Sequence, residues 1–341
     1  MSSIKTKANH IAIIPVAGIG TRLRPHTHTM PKSLIPVAGK PILGHIMDKL
    51  VAVGINEYIF VIGYLGDKIE AFIRTNYPKI DAKFVIQTIG KGVGHAIWLT
   101  KDYWGKDSNL LIIFGDTIVD MDIKKLMQFK QNAVGVMKVY DPRQFGVAEI
   151  NKNNQIIKMV EKPTIPKSNL ALVGIYSIKD NALLLSCLTH LIENDIKTQN
   201  EFHLTDALMM MIDQKAEWTF IEVDNWFDCG KKEIILETNQ TLLKHGHYDK
   251  SKNEENIVNS ILVEPVFIAH SAIIKNSIIG PYVSIGDETF IEHSILTDSI
   301  IGPHAQIEFA VLKDSLIGND ATLKGTRQSL NLGDSAEVRF S

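Results

Sequence analysis

From Ile11 to about Val223, short apolar runs alternate with longer segments whose apolar positions recur at helical spacing. Ile11 to Ile14, Tyr58 to Ile62, Lys83 to Gln87 and Asn109 to Phe114 are predicted as buried strands, and Leu43 to Val53 as a helix, with further helices between the strands. Strands that alternate with helices predict an α/β fold: a mostly parallel sheet with both faces covered. Glu233 to Lys244, rich in Ile, Leu and Glu, reads as a closing helix, and the polar stretch His245 to Glu255 as a linker.

Beyond that stretch the pattern changes. Ile274, Ile279, Ile285, Ile291, Ile301, Ile307, Ile317 and Leu323 recur at five- or six-residue steps, with two longer gaps. One aliphatic per hexapeptide predicts a parallel β-helix, in which each short strand points its aliphatic inward before a turn. The competing architecture, an antiparallel sandwich, would space its turns at roughly 8–12 residues. A β-helix this short has open ends that need a cap from the first domain, from the C-terminal tail or from another subunit. The expected division is residues 1–245 and residues 246–341.

The chain has 341 residues, which at about 150 residues per domain also suggests two domains. Its 36 basic and 38 acidic residues leave a net charge of −2, which argues against a nucleic-acid protein that depends on a basic surface. A small anionic substrate needs only a local cluster of cations and stays open. Two cysteines, Cys187 and Cys229, make no disulfide framework and no Cys-rich metal site. The segment Met1 to His10 has no apolar core of the signal-peptide kind, and no run approaches the roughly 18 apolar residues of a membrane span. A cytoplasmic location, away from membranes, is expected.

The first strand is followed by Ala17-Gly18-Ile19-Gly20-Thr21-Arg22-Leu23-Arg24-Pro25, then Pro31-Lys32-Ser33-Leu34-Ile35-Pro36-Val37 and Gly39-Lys40-Pro41. Glycines leaving a strand let backbone N–H groups approach phosphate oxygens. Arg22 offers a planar fork of donors and Lys32 a mobile point charge. The run is not a Rossmann fingerprint, because Leu23 stands where the third glycine belongs, and it is not a Walker A loop.

This run resembles the signature of the sugar nucleotidyltransferase family, a Gly-rich loop ending in Gly-Thr-Arg followed by Pro-Lys and a Pro-bearing strand. Ala17-Gly18 replaces the usual glycine pair, as in the form found in bacterial UTP–glucose-1-phosphate uridylyltransferases. The resemblance extends over residues 11–341. It includes Gln87 with Gly92-Val93-Gly94-His95-Ala96, Phe114-Gly115-Asp116-Thr117, Phe145-Gly146-Val147, Glu161-Lys162-Pro163, Val173-Gly174-Ile175-Tyr176 and Trp226-Phe227-Asp228-Cys229-Gly230. The repeats and the ending Leu332-Gly333-Asp334-Ser335-Ala336-Glu337-Val338 are similar to the long-form glucose-1-phosphate thymidylyltransferase group.

The resemblance implies a Rossmann-like nucleotidyltransferase domain followed by a short left-handed parallel β-helix. It implies attack of a sugar 1-phosphate oxygen on the α-phosphorus of an NTP, with Mg²⁺ on Asp116 and Asp228. A phosphate monoester has a second pKa of about 6, so the nucleophile needs no general base. Arg22, Lys32 and Lys162 are the implied catalytic cations. Ala17, Gly18, Gly20, Thr21, Arg22, Gln87 and Gly92 would bind the nucleotide, with Gln87 reading the base through both halves of its amide. Gly146, Glu161, Lys162, Val173 and Gly174 would bind the sugar phosphate. By residue type alone Asp116 suits a turn after a strand equally well, Lys162 a solvated surface position, and Gly146 and Gly174 a bulge or turn. The implied product is dTDP-glucose, with UDP-glucose the rival. A bifunctional acetyltransferase and a non-catalytic regulatory subunit are further alternatives. The partners expected are small-molecule substrates and further copies of the chain in a homo-oligomer.

Overall fold

The computed structural model describes residues 10–105, 108–246 and 254–325. Most of the N-terminal segment, the middle of the expected linker, and the ending Leu332 to Val338 lie outside the described residues. The chain divides into two compact units. One takes in the chain up to Ile35 together with Lys40–Ile235. The other takes in Pro36–Gly39 and the chain from Leu236 onward. The cut falls within the last helix of the α/β region rather than at the polar stretch after it.

The first unit is built on a nine-stranded mixed sheet. In chain order its main elements, with a separate two-stranded ribbon, are β1 (His10–Pro15), α1 (Ile42–Ala52), β2 (Glu57–Ile62), α2 (Gly66–Asn76), β3 (Asp81–Ile86), α3 (Val93–Trp98), β4 (Asn109–Ile113), β5 (Thr117–Asp120), α4 (Ile123–Gln128), β6 (Asn132–Lys138), β7 (Gly146–Ile150), β8 (Ile156–Glu161), β9 (Leu170–Ile178), α5 (Asn181–Glu193), α6 (Leu204–Asp213), β10 (Trp218–Glu222), β11 (Asn225–Asp228) and the first turn of α7 (Lys232–Lys244), which from Leu236 belongs to the second unit. The strand order is β8-β7-β9-β4-β1-β2-β3, with β6 pairing both β9 and β10. β4, β1, β2 and β3 run parallel to one another, whereas β9 runs antiparallel to β4, β6 and β7.

The predicted strands form, with shifted ends. Ile11 to Ile14 are buried on both faces, as expected of a parallel strand between two neighbours. Asp81–Ile86 begins two residues before the predicted apolar run because it pairs along the full length of β2, where Asp81 faces Glu57. Gln87 is therefore the first residue beyond the strand. α4 and α5 start at Asp122 and Asp180, whose carboxylates accept from the N–H groups of Lys125 and Leu183. Ile11, Ile13, Ile59, Val61, Leu110 and Ile112 form one core with apolar residues of α3, α5 and α6.

The second unit holds three parallel sheets of five, four and four short strands, coiled into a left-handed β-helix. Ile257, Ile274, Ile291, Ile307 and Leu323 stack in register along one wall. Leu262, Ile279, Leu296 and Leu312 stack along the second, and Ile268, Ile285, Ile301 and Ile317 along the third. The two gaps in the isoleucine pattern are filled by Leu296 and Leu312. At one corner Asn259, Asn276, His293 and Phe309 repeat a left-handed backbone, with φ between 47° and 53°. Asn239 of α7 ties this unit together. Its Oδ1 accepts from Ala38 N–H at 2.8 Å and from Ser284 Oγ at 2.6 Å, and its Nδ2 donates to Tyr282 O at 3.0 Å.

Candidate active site

The Gly-rich loop leaves the end of β1 and is largely exposed. Gly20 has φ 69°, and Thr27 Oγ1 donates to its carbonyl at 2.9 Å; a Cβ there would lie 3.1 Å from Lys32 Cβ. Nothing lies within 4 Å of where a Gly18 Cβ would be, so backbone here faces open space. Ala17, Thr21 and Arg22 share this rim, Arg22 within the short turn Thr21–Leu23.

Asp116 follows β4. At Gly115 a Cβ would sit 2.1 Å from Val16 Cγ1, so only glycine lets this loop pass the end of β1. β5 and β11 form an antiparallel ribbon in which Asp228 lies opposite Thr117, and Cys229 N–H donates to Asp116 O at 3.1 Å. That ribbon brings the two aspartates to the same place. Lys32 Nζ lies 2.5 Å from Asp116 Oδ2 and 3.6 Å from Asp228 Oδ1. Arg22 joins them: a Cβ on Gly230 would meet its Nη2 at 2.7 Å and Asp228 Oδ1 at 3.3 Å.

The electrostatics follow from this packing. Burial alone would raise the Asp116 carboxyl, but the Lys32 ammonium and its hydrogen bond outweigh it and hold the pKa below the usual carboxylate value. Burial would likewise lower Lys32, and the charges of Asp116 and Asp228 raise it instead. Lys32 is thus cationic and Asp116 anionic. The described residues contain no group of three or more His, Cys, Asp or Glu side chains suited to a metal. Two carboxylates that already converge on one cation, each about a third exposed (38% and 36%), fit a hard divalent ion that takes one or two carboxylates and completes its shell with phosphate oxygens and water.

Gln87 follows β3 at the same sheet edge. Its Nε2 donates to Gly92 O at 3.2 Å and lies 3.0 Å from His95 Nδ1. The amide nitrogen is thus engaged within the protein. Gly92, at φ 96°, abuts Phe202, whose carbonyl would be 2.6 Å from an added Cβ. The loop is pinned there by Phe202 N–H donating to Lys91 O and by Gly94 N–H donating to Phe202 O.

Glu161 ends β8. Thr205 Oγ1 donates to its Oε2 at 2.7 Å, His203 Nδ1 lies 3.7 Å from its Oε1, and Lys162 Nζ lies 3.9 Å from the same oxygen. Lys162 has φ 40° and donates its N–H to Phe145 O. At Gly146 an added Cβ would crowd Leu172 Cδ1 (2.9 Å) and Glu161 Oε2 (3.1 Å). Phe145 meets Trp226 edge-on, with ring centroids 4.6 Å apart, which links this group to the strand that carries Asp228. Val173 is buried in β9, and Gly174 occupies an irregularity there with φ 80° and Phe114 Cδ2 2.7 Å from where its Cβ would be.

Lys32, Asp116 and Asp228 are therefore brought together directly, with Arg22 close by at Gly230, and Gly146, Glu161 and Lys162 form a second group. Ala17, Gln87 and Asp116 all follow the C-terminal ends of strands in the parallel part of the sheet, where open α/β sheets bind ligands. Sequence reasoning missed Thr205 and the part played by His95. The only signal for Thr205 was a hydroxyl beside the start of an apolar helix.

The family model for nucleotidyl transferases matches residues 11–245. The bifunctional protein GlmU of Methanocaldococcus jannaschii is 39% identical over 249 residues, covering 72% of this chain. The chain spans only 58% of that relative's length. The glucose-1-phosphate thymidylyltransferase of Streptomyces griseus is 29% identical over 314 residues, covering 85% of this chain and 86% of the relative. A solved structure from Bacillus anthracis, assigned as a glucose-1-phosphate thymidylyltransferase in complex with a sucrose, shares 27% identity at a TM-score of 0.59, covering 68% of this chain and 94% of that one. The resemblance seen in the motifs is thus borne out, and the chain belongs to the nucleotidyl transferase family.

Proposed function

We propose that this chain is a sugar-1-phosphate nucleotidyltransferase that joins dTTP and glucose 1-phosphate into dTDP-glucose and pyrophosphate. The observation that carries the reading is the convergence of Lys32 on Asp116 and Asp228, with the Arg22 guanidinium close by at Gly230, beside an open, glycine-bearing loop. A sugar phosphate oxygen forms the new bond to the α-phosphorus, and the bond from that phosphorus to the bridging oxygen breaks. The electron pair leaves with pyrophosphate. The chain's task is alignment and neutralisation of charge.

In this reading Arg22 meets the departing pyrophosphate, and Lys32 contacts the α-phosphate or the sugar phosphate. Backbone N–H groups of Ala17, Gly18, Gly20 and Thr21 approach the nucleotide phosphates. Glu161 accepts from a sugar hydroxyl, and Lys162 holds the sugar phosphate with the backbone of Gly146, Val173 and Gly174 close to the ring. Asp116 and Asp228 are the residues that would hold Mg²⁺, which when bound would draw negative charge from the phosphate oxygens.

UTP in place of dTTP is the second reading. The relatives include bifunctional GlmU proteins as well as thymidylyltransferases, and one methyl group provides only about 1–3 kcal/mol of discrimination. Catalysis belongs in this reading to residues 1–245, and residues 246–341 serve assembly of a homo-oligomer. Ile261, Ile278, Ile295 and Val311, in register on one outer wall of the β-helix and between 37% and 78% exposed, favour that role. No helix among the described residues is long and apolar enough to cross a membrane.

Pyrophosphate release with Mg²⁺ across dTTP, UTP, CTP, ATP and GTP, each with glucose 1-phosphate and other sugar 1-phosphates, tests the reading. A maximum for dTTP with glucose 1-phosphate supports it. A UTP maximum changes the substrate and keeps the mechanism, and no release from folded protein overturns it.

A further inference from the structure

Asp116 immediately precedes β5 and Asp228 ends β11, and these two strands form a ribbon outside the nine-stranded sheet. A two-stranded ribbon is marginal by itself, so its position is set by what it packs on. In an antiparallel pair, hydrogen-bonded and non-hydrogen-bonded residue pairs alternate. Cys229 N–H donates to Asp116 O, so Thr117–Asp228 and Val119–Trp226 are the non-hydrogen-bonded pairs. The Val119 carbonyl therefore points away from β11, to the open edge of β5. Lys49 of α1 meets it there, with Nζ donating to Val119 O at 2.5 Å. Burial lowers the Lys49 pKa against the pull of the Asp120 charge, and no carboxylate lies within ion-pair distance of it among the described residues. An ammonium drawn out of water without a paired carboxylate costs stability, so this lysine does not serve as one half of a surface salt bridge.

The same helix begins at the segment that carries Lys32. Ile42 N–H, in the first turn of α1, donates to Ile35 O at 3.1 Å, a short step along the chain from Lys32. Lys49 lies two turns further on, about 10 Å at roughly 1.5 Å per residue. α1 thus grips the lysine segment at its start and the aspartate ribbon near its end. His45, Ile46, Lys49, Thr117 and Val119 line a small, mainly apolar cavity between helix and ribbon. Apolar packing there leaves space into which the ribbon could settle, and Thr117 Oγ1 donates to Asp116 Oδ1 at 3.3 Å, so a shift of β5 reaches the carboxylate.

We infer that Lys49 is a positioning residue: by tying Val119 to α1 it sets the spacing of the Asp116–Asp228 pair against Lys32, and with it the fit of a divalent cation. The inference rests on the proposed reading of the two aspartates as the pair that holds the metal. It adds a residue that acts through the backbone of the ribbon and touches neither the metal nor the substrate.

The test compares the full-length wild type with Lys49→Met, which keeps the apolar stem and removes the donor, and with Lys49→Arg, which restores a cationic donor. In Lys49→Met the Mg²⁺ concentration for half-maximal pyrophosphate release should rise by roughly three- to tenfold, at or below the range for groups that orient metal ligands. KM for glucose 1-phosphate should stay close to the wild-type value, and Lys49→Arg should recover most of the loss. Hydrogen–deuterium exchange gives a readout without metal or substrate. Amides of residues 117–120 and 225–228 should exchange faster in Lys49→Met, while those of β4 keep wild-type rates. An unchanged Mg²⁺ requirement in Lys49→Met, or unchanged exchange in the ribbon, overturns the inference and leaves the reading of the site standing. A loss shared equally by Mg²⁺, by the sugar phosphate and by exchange throughout the sheet also overturns it, because that pattern marks general destabilisation. Absence of pyrophosphate release from the wild type with every substrate pair overturns the reading and the inference together.

Discussion

Lys32 Nζ donates to Asp116 Oδ2 at 2.5 Å while Asp228 Oδ1 waits 3.6 Å away. One ammonium thus serves two carboxylates contributed by different strands' ends, and the carboxylates outnumber it. That residual negative charge, next to the Arg22 guanidinium over Gly230, is the arrangement expected where a divalent cation and phosphates are to be accommodated together.

Replacing either aspartate should therefore spare the fold and remove turnover. Asp116→Asn and Asp228→Asn are each expected to lower kcat by on the order of 100-fold or more, with far-UV circular dichroism unchanged. Pyrophosphate release measured across a Mg²⁺ series checks this; activity near wild type in both variants would refute the metal assignment.

Thr205 gives a test of the proposed sugar contact through Glu161. Its 2.7 Å hydrogen bond occupies Glu161 Oε2, leaving Oε1 to accept from substrate. In Thr205→Val the carboxylate loses that anchor, and KM for the sugar 1-phosphate should rise about tenfold while KM for the nucleotide moves little. Equal changes in both constants would remove Glu161 from the sugar contact.

Asn239 is 1% exposed and makes three hydrogen bonds within the second unit. Asn239→Ala leaves the Ala38 N–H, the Ser284 hydroxyl and the Tyr282 carbonyl without it, and should cost about 2–3 kcal/mol. Urea unfolding followed by fluorescence and circular dichroism measures the loss.

His95 contributes to the pH dependence of stability. Burial and Lys91 lower its folded pKa below the ordinary 6.5. The unfolded chain therefore binds more protons than the folded one as pH falls through that value, so stability present above pH 6.5 is lost on acidification. The difference in urea midpoint between pH 7.5 and pH 5 should be smaller in His95→Asn than in the wild type. Identical pH dependence would show that His95 titrates normally in the folded state.

An outer wall of aliphatics tests the assembly role. Ile278→Lys combined with Ile295→Lys leaves the inward ladder of Ile279 and Leu296 intact. It should shift the solution mass by light scattering towards the monomer; an unchanged mass would count against assembly through this wall.

Much of this was legible in the chain because the signals are periodic or local. Ile11 to Ile14 announced a buried strand, and the isoleucines from Ile274 to Ile317 announced a coil, since each lies where a regular backbone must turn a side chain inward. Leu296 and Leu312 escaped the pattern only because the repeat tolerates any aliphatic of suitable volume. The glycine-bearing run from Ala17 to Arg22 and the Asp-bearing segments were recognisable as motifs, but their meeting was not. Asp116 and Asp228 come together because β5 and β11 pair, and strand pairing between distant segments depends on burial across the whole sheet rather than on local sequence. The hydrogen bonds that commit the Gln87 amide to Gly92 and His95, and Glu161 to Thr205, arise from loops that the tertiary structure presses together. A side chain's residue type states what it can donate or accept. Only the packed neighbours decide which of those atoms remain for a ligand.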